Sequence, residues 1–470
     1  MSYKKILSVF SVFFLFAAFF AGCSAKMSRH YEGLKAKLDA GDYSAAVKYV
    51  DGAKKIYGNK NILLFYLDSG LVNHLAKNYA DSSKSFDAAK QTFEDYYQKS
   101  ISAGAASFAF NDNSLPYYGN DYERAHTTVY EALNYILNGD DNEAVVEARQ
   151  SDTMFKTFSI NAGGKNLYKD DGFIRYFMGL VYENGGYLND AHLSYFMALK
   201  AYKSGLADVG VPQDLIDDAY TTALLLGMNE RAQDIKKEYP SAEKILIPRG
   251  YGECVIMDFN GYIPEKISRI FEYGLYDIWH FVDEVKVDDA EKQEFAKARS
   301  ISRSVFASDY IKVVFPEYKN VPNKIVSFNA DANGSLKDAY RVQDLSDIAK
   351  KCLQDDIGKI YAKTIARAAV KYVVGKTVSQ AVEKNTSKGW GALTQVAFNV
   401  YQAASEDADT RGWEILPENI LMARFFLPAG ENDVTINFTG SGGETLKSEN
   451  IKVSVREGKK NFVAVRSALR

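Results

Sequence analysis

The stretch "GLVYENGGYLNDAHLSYFMALKAY", residues 179–202, limits what this chain can fold into more than any other. Gly179, Tyr182, Ala191, Tyr195 and Ala198 put small and aromatic residues where two antiparallel helices must meet. Small residues let the backbones approach, and rings fill the groove to the next helix pair. The pattern recurs along the first half. Gly70, Tyr79, Phe86 and Ala89 keep the same offsets, and Gly41, Tyr43, Ala46 and Ala53 form an earlier copy. Ala132, Tyr135, Ala144 and Ala148 form another, and Gly227 and Ala232 mark a degenerate fifth between Asp214 and Lys237. One such pair cannot bury its apolar face alone, so the pairs must stack into an α-solenoid. His74, His126 and His192 read as helix-packing residues within it. Two insertions, residues 102–120 and 159–171, stretch the spacing; they are ligand-contacting or passive surface loops.

From Lys244 the pattern changes. "KILIPRGYGECVIMDFNG" reads as strand, turn, strand, with Asn260-Gly261 as a tight turn. "DYIKVVFPEY" and "NKIVSFNADANG" add strands, and Pro264 to Arg303 reads as helical or irregular. A long helical stretch runs from Leu345 to about Ala404, interrupted near Asn385 to Gly391. On it Lys359, Lys363, Arg367 and Lys371 share a drifting face, either a basic surface for phospholipid headgroups, anionic glycan or an acidic partner, or a solvated side. Alternation of apolar and polar residues then predicts a small antiparallel β-module over Ile415 to Arg466. "TGSGGE" and "VVGKT" lack the spacing of a phosphate loop.

The net charge of −3 argues against a general nucleic-acid binder, which would carry a basic excess. Three cysteines, Cys23, Cys254 and Cys352, and five scattered histidines show no metal-ligand spacing. Cys254 and Cys352 are either a disulfide or two buried thiols. No nucleophile elbow, zinc motif or dinucleotide turn is present. His280, between Asp277 and Asp283, reads as a packed residue rather than a catalytic one, so the chain is expected not to be an enzyme and to need no cofactor.

At the other end, Lys4 and Lys5 precede an apolar run from Ile6 to Phe20 and the small pair Ala21-Gly22 before Cys23. This is the order of a secretory signal. It resembles the lipobox of bacterial lipoproteins, with Phe20 in place of the usual Leu. The resemblance implies cleavage before Cys23 and a covalent lipid on its sulfur, and Ser24 after the cysteine implies transport to the outer membrane.

The helix pairs resemble tetratricopeptide repeats. Four motifs occur in the order "NDYERAHTTVYEALNYILNGDDNEAVVEARQSD", "DFNGYIPEKI", "VVFPEY" and "EDADTRGWEILPENILMARFFLPAG". Together they resemble an uncharacterised family of bacterial tetratricopeptide-containing lipoproteins, often encoded beside activators of penicillin-binding proteins. The matching positions include Tyr122, Glu123, Asn134, Glu147 and Arg149. Later ones are Gly261, Pro264, Lys266, Pro316 and Tyr318, then Asp409, Arg411, Trp413, Pro417, Arg424, Pro428 and Gly430. Arg411 and Trp413 form either a structural lock between helix and β-module or a glycan or peptide contact.

The expected architecture is α+β. A signal peptide spans 1–22, a lipidated tether 23–30 and a tetratricopeptide-like solenoid 31–240. A mixed α+β domain with the basic helix spans 241–404, and a β-module 405–470. The expected function is a non-enzymatic lipoprotein, anchored on the periplasmic side of the outer membrane. Its solenoid would bind envelope proteins, such as cell-wall synthases or their activators. The alternatives are an outer-membrane assembly or secretion factor, or a cell-wall-modifying enzyme.

Overall fold

A computed structural model describes residues 26–102, 115–161, 167–274, 310–332, 334–385 and 408–470, with 292, 293 and 296. The signal segment, Cys23, most of the first insertion and residues 162–166 of the second, and Asp277, His280 and Asp283 lie outside these residues.

The helices come in pairs. Helix α1 (26–39) leads into α2 (Tyr43–Gly52) and the short α3 (Lys54–Tyr57). Next come α4 (Ile62–Leu75) with α5 (Tyr79–Ser102), and α6 (Asp121–Leu137) with α7 (Asp141–Asn161). Then follow α8 (Gly172–Asn184) with α9 (Leu188–Lys203), and α10 (Gln213–Leu225) with α11 (Asn229–Glu238). The turns explain the glycines of the repeat. Gly186 turns α8 into α9 at φ 85°, and Gly227 turns α10 into α11 at φ 70°, a region that costs other residues a clash at Cβ. Within pairs the glycines are contact points. A methyl group on Gly70 would lie 2.5 Å from the Phe86 ring, and one on Gly179 would collide with Tyr195. The repeat residues Ala46, Phe86, Ala89, Ala144, Tyr182, Ala191, Tyr195 and Ala198 are buried, and Tyr43 and Tyr135 pack at the core edge.

The β-strands form three sheets. Strands β1 (Tyr251–Asn260), β6 (Tyr340–Asp344), β7 (Asn419–Pro428) and β10 (Lys460–Ser467) make the central sheet, in the order β10-β1-β7-β6. β1 pairs antiparallel with β7 and parallel with β10. A second sheet orders β5 (Ser335–Asp338), β4 (Ser327–Ala332), β8 (Gly430–Thr439) and β9 (Thr445–Val455). β2 (Glu265–Gly274) and β3 (Tyr310–Lys319) form a two-stranded hairpin against helix α12 (Leu345–Asn385).

Strand alternation fixes the layers. On β1, Val255, Met257 and Phe259 face the helices, while Cys254 and Ile256 face the second sheet. Ile420 and Met422 on β7 and Phe462 on β10 join the helical core; Leu421, Ala423 and Val463 join the sandwich between sheets. β1 is therefore buried on both faces. Helices α4, α6 and α8 are buried almost all round, which places them between the outer helices and the central sheet. The order of layers is outer helices, inner helices, central sheet, second sheet.

The fold class is as expected, an N-terminal solenoid followed by a mixed region and C-terminal sheets, but its parts are interleaved. The predicted boundary at 404/405 separates no structural unit, because β7 and β10 complete the sheet begun by β1 and β6. Residues 244–248 form no strand: Glu243 and Ile245 donate their backbone N–H groups to Asp217 and Thr221 side chains of α10 instead. Part of the stretch read as helical or irregular, Pro264 to Arg303, is strand β2. Described α12 ends at Asn385, and its basic row is not one solvated face, because Arg367 is buried. Cys254 and Cys352 are both free thiols: one lies between the two sheets, the other on α12.

Candidate functional site

The sequence-predicted residues gather where the inner helices meet the β-layers. Glu123 opens α6 as part of a capping box on Asn120. Its Oε2 accepts from the Tyr117 hydroxyl at 2.6 Å and the Asn120 N–H at 2.9 Å. Its Oε1 accepts the backbone N–H of Trp413 at 2.8 Å. Trp413, only 1% exposed, packs edge-on against Phe86 of α5 and Tyr130 of α6. A glycan on the surface would not reach it. Arg411 grips Asp409 with two bonds, at 2.8 and 2.6 Å, and donates to the Leu115 carbonyl at 2.9 Å. Burial works against the Asp409 charge, yet Arg411 keeps its carboxyl below the usual range.

Arg424 anchors a second cluster. It donates to Glu253 of β1 at 2.7 Å, to Asp218 of α10 at 2.5 Å, and to the Tyr176 hydroxyl of α8. Lys460 of β10 meets Glu253 at 2.7 Å and Glu183 of α8 at 3.3 Å. Burial would raise Glu253, but Arg424 and Lys460 hold it at about 2. Asp218 is left at about 6, because burial there outweighs the two cations.

A third cluster ties α1 down. Asp68 of α4 accepts hydroxyl protons from Tyr31 at 2.9 Å and Tyr57 at 2.6 Å. Lys35 meets Glu265 at 2.5 Å and Glu414 at 2.9 Å. Burial pushes Asp68 from 3.8 up to about 8, more than its two tyrosines offset. A carboxyl raised by folding contributes stability below its unfolded pKa and loses it as pH climbs through the folded value. Relative to Asp68→Asn, the wild type should therefore lose stability on the order of 3 kcal/mol between about pH 5 and pH 8. Chemical denaturation of both proteins across that range measures it; parallel pH profiles would show that Asp68 is not protonated in the fold.

The other predicted residues sit apart. Asn134 is buried between helices, bonded to His74 at 2.7 Å and to Ser82 and Ser83. Glu147 shares Lys90 with Glu131. Arg149 lies on the outside, its guanidinium 4.9 Å from the Tyr187 ring. Glu253, Lys460, Asp218, Lys35 and Asp68 were not picked out from the sequence. The signal for two of them was present: Glu253 and Lys460 are charges in apolar strands, on the same alternation face as Val255 and Phe462.

Beside the Arg411 cluster lies a cavity of about 240 Å³ between the 117–120 loop, the β2–β3 hairpin and α12. Lys266 lines it, donating to the Arg411 carbonyl at 3.2 Å with its ammonium 5.7 Å from the Tyr318 ring. The Tyr318 hydroxyl meets that of Tyr122 at 3.1 Å. Burial works against the Lys266 charge, but Tyr318 and Glu123 raise its pKa, so it is a charged donor rather than a base. Burial pushes the Cys352 thiol in the same wall up to about 12, so it is no thiolate nucleophile. Among the described residues no three His, Cys, Asp or Glu side chains converge to hold a metal.

No family model matches the chain, and no curated protein matches it. Among solved structures it is similar to the apo form of RapI, at 8% identity and a TM-score of 0.32, over 80% of this chain and 97% of that one. It is also similar to NprR in complex with its cognate peptide NprX, at 16% identity and a TM-score of 0.18, over 47% of this chain and 66% of that one. The expected membership of an envelope-lipoprotein family is therefore not upheld: neither a family model nor a curated protein matches the chain that carries its motifs. The lipoprotein, signal-peptide, outer-membrane and periplasmic assignments are withdrawn with it. Among the described residues no helix is long and apolar enough to cross a membrane.

Proposed function

We propose that this chain is a non-enzymatic binding protein that engages a protein partner through the outer surface of its solenoid. The inner helices are taken up by the chain's own central sheet. What supports the reading is an exposed stripe across successive outer helices. Val146 on α7 is 40% exposed and Leu193 on α9 is 59% exposed, at matching positions of their helices. Arg149 stacks on Tyr187, joining α7 to the start of α9, and Arg231 lies 4.0 Å from the Phe196 ring, joining α11 to α9. Lys200 flanks the same ring at 4.3 Å. Exposed apolar side chains between stacked cations suit a partner segment that mixes apolar and acidic residues.

A photo-crosslinking residue at position 193 of the full chain, with mass spectrometry of captured proteins, tests this. The expected result is one reproducible partner, lost in Val146→Asp and in Arg149→Glu/Arg231→Glu variants that melt like the wild type. Capture undiminished by those changes would sink the proposal. The narrower expectation, a cell-wall synthase or its activator, is one identity the captured protein can take.

A further inference from the structure

The cavity beside Arg411 has a composition that packing alone does not require. On α12, Cys352, Asp356, Ile360, Thr364 and Arg367 recur at helical spacing and line it, so one face of the helix turns both polar and apolar groups toward a partly open cavity. Opposite stands Lys266 of β2, whose ammonium is fixed by the Arg411 carbonyl. The Asp409 carboxylate in the wall is already taken by two bonds from Arg411. Nearby Glu123 is saturated by three donors. Charges of both signs on different elements therefore face the space: Lys266 and the buried Arg367 inside, and Asp356 at the exposed rim, where Lys359 and Lys363 of its own helix and then Lys266 act on its carboxyl. Val314, Pro316 and Leu353 supply apolar wall between them.

We infer that this cavity binds a small zwitterion with an apolar side chain, the size of a free α-amino acid. Its carboxylate meets Lys266, its ammonium meets Asp356, and its side chain lies on Pro316 and Leu353. The volume of about 240 Å³ is ample, since an apolar cavity of ~150 Å³ already holds benzene. A simple anion would leave Asp356 without a partner, and a simple cation would be repelled by Lys266 and Arg367. A neutral apolar molecule would strip water from both without replacing it. Because the two charges sit on β2 and α12, the ligand bridges the hairpin to the long helix. This site is separate from the outer stripe.

Calorimetry and thermal melting of the full chain with L-leucine and L-phenylalanine test the inference. N-acetyl-L-leucine, L-leucinamide and N-acetyl-L-leucinamide each lack one charge or both. At least one free amino acid should bind saturably and raise the melting temperature, with its blocked relatives at least about tenfold weaker. Asp356→Asn, at the rim where the fold is least affected, should reduce leucine to the affinity of N-acetyl-leucine; Lys266→Met should reduce it to that of leucinamide. No saturable binding of either amino acid up to about 10 mM overturns the assignment. So does equal binding of the doubly blocked compound, or an Asp356→Asn protein that binds leucine as the wild type does.

Discussion

Arg424→Ala should destabilise the protein by about 3–5 kcal/mol, the typical loss when one partner of a buried ion pair is removed. The guanidinium touches α8, α10 and β1 together, through Tyr176, Asp218 and Glu253. Its removal leaves Glu253, which cannot retreat to water, held by Lys460 alone, and leaves the partly buried Asp218 without the guanidinium. Chemical denaturation gives the size of the effect, and a double-mutant cycle gives its origin. If the charge cluster is one unit, Arg424→Ala/Glu253→Ala should cost less than the sum of the single changes, by about 1–3 kcal/mol. A loss below about 1 kcal/mol, or strict additivity, would show that the Arg424 charge cluster does not hold the helices to the sheet.

Trp413→Ala is expected to cost a similar amount, about 3–5 kcal/mol, for a different reason. The indole fills the space between Phe86, Tyr130 and the loop that precedes β7, so truncation leaves a cavity that the helices cannot close. Trp413→Phe discriminates packing from polar anchoring. The indole Nε1 has no hydrogen-bond partner among the described residues, and the bond to Glu123 comes from the backbone. Phe keeps most of the ring and that backbone bond, and sheds an unsatisfied donor. It should cost less than half as much as Ala by urea denaturation; equal losses would place a hidden polar contact at the indole nitrogen.

The helical half was legible because its rule is local. A glycine facing a ring one helix later, as at Gly70 with Phe86 and Gly179 with Tyr195, needs only the spacing of one pair. The sheets were not legible as units, because their pairing is distant: β1 finds β10, the last strand, and no local pattern announces that. "KILIP" looks like a strand in composition, but among the described residues no strand pairs with it, and side chains of α10 hold its backbone. The basic row on α12 failed by geometry. Each four-residue step overshoots a full turn by about 40°, so Arg367 has rotated away from Lys359 into the buried side. Of the candidate lock, Asp409, Arg411 and Trp413 were visible as an unusual cluster, whereas Asp68 and Lys35 looked like ordinary helix residues. Arg424, Glu253 and Lys460 carried the readable clue: a charge amid apolar strand residues must find its counterion across the layer it faces.

The last strand has a consequence for how the molecule comes into being. β10 is the edge of the central sheet and lies against α6, and the final residue, Arg470, reaches Asp39 on the first described helix. A ribosome would release all five helix pairs before the strands that cover them exist. Until residues 408–467 emerge, Tyr130, Phe177 and their neighbours have no sheet to face. A premature stop before or within β10 would strand the nascent helices in that uncovered condition, a natural substrate for chaperones and proteases.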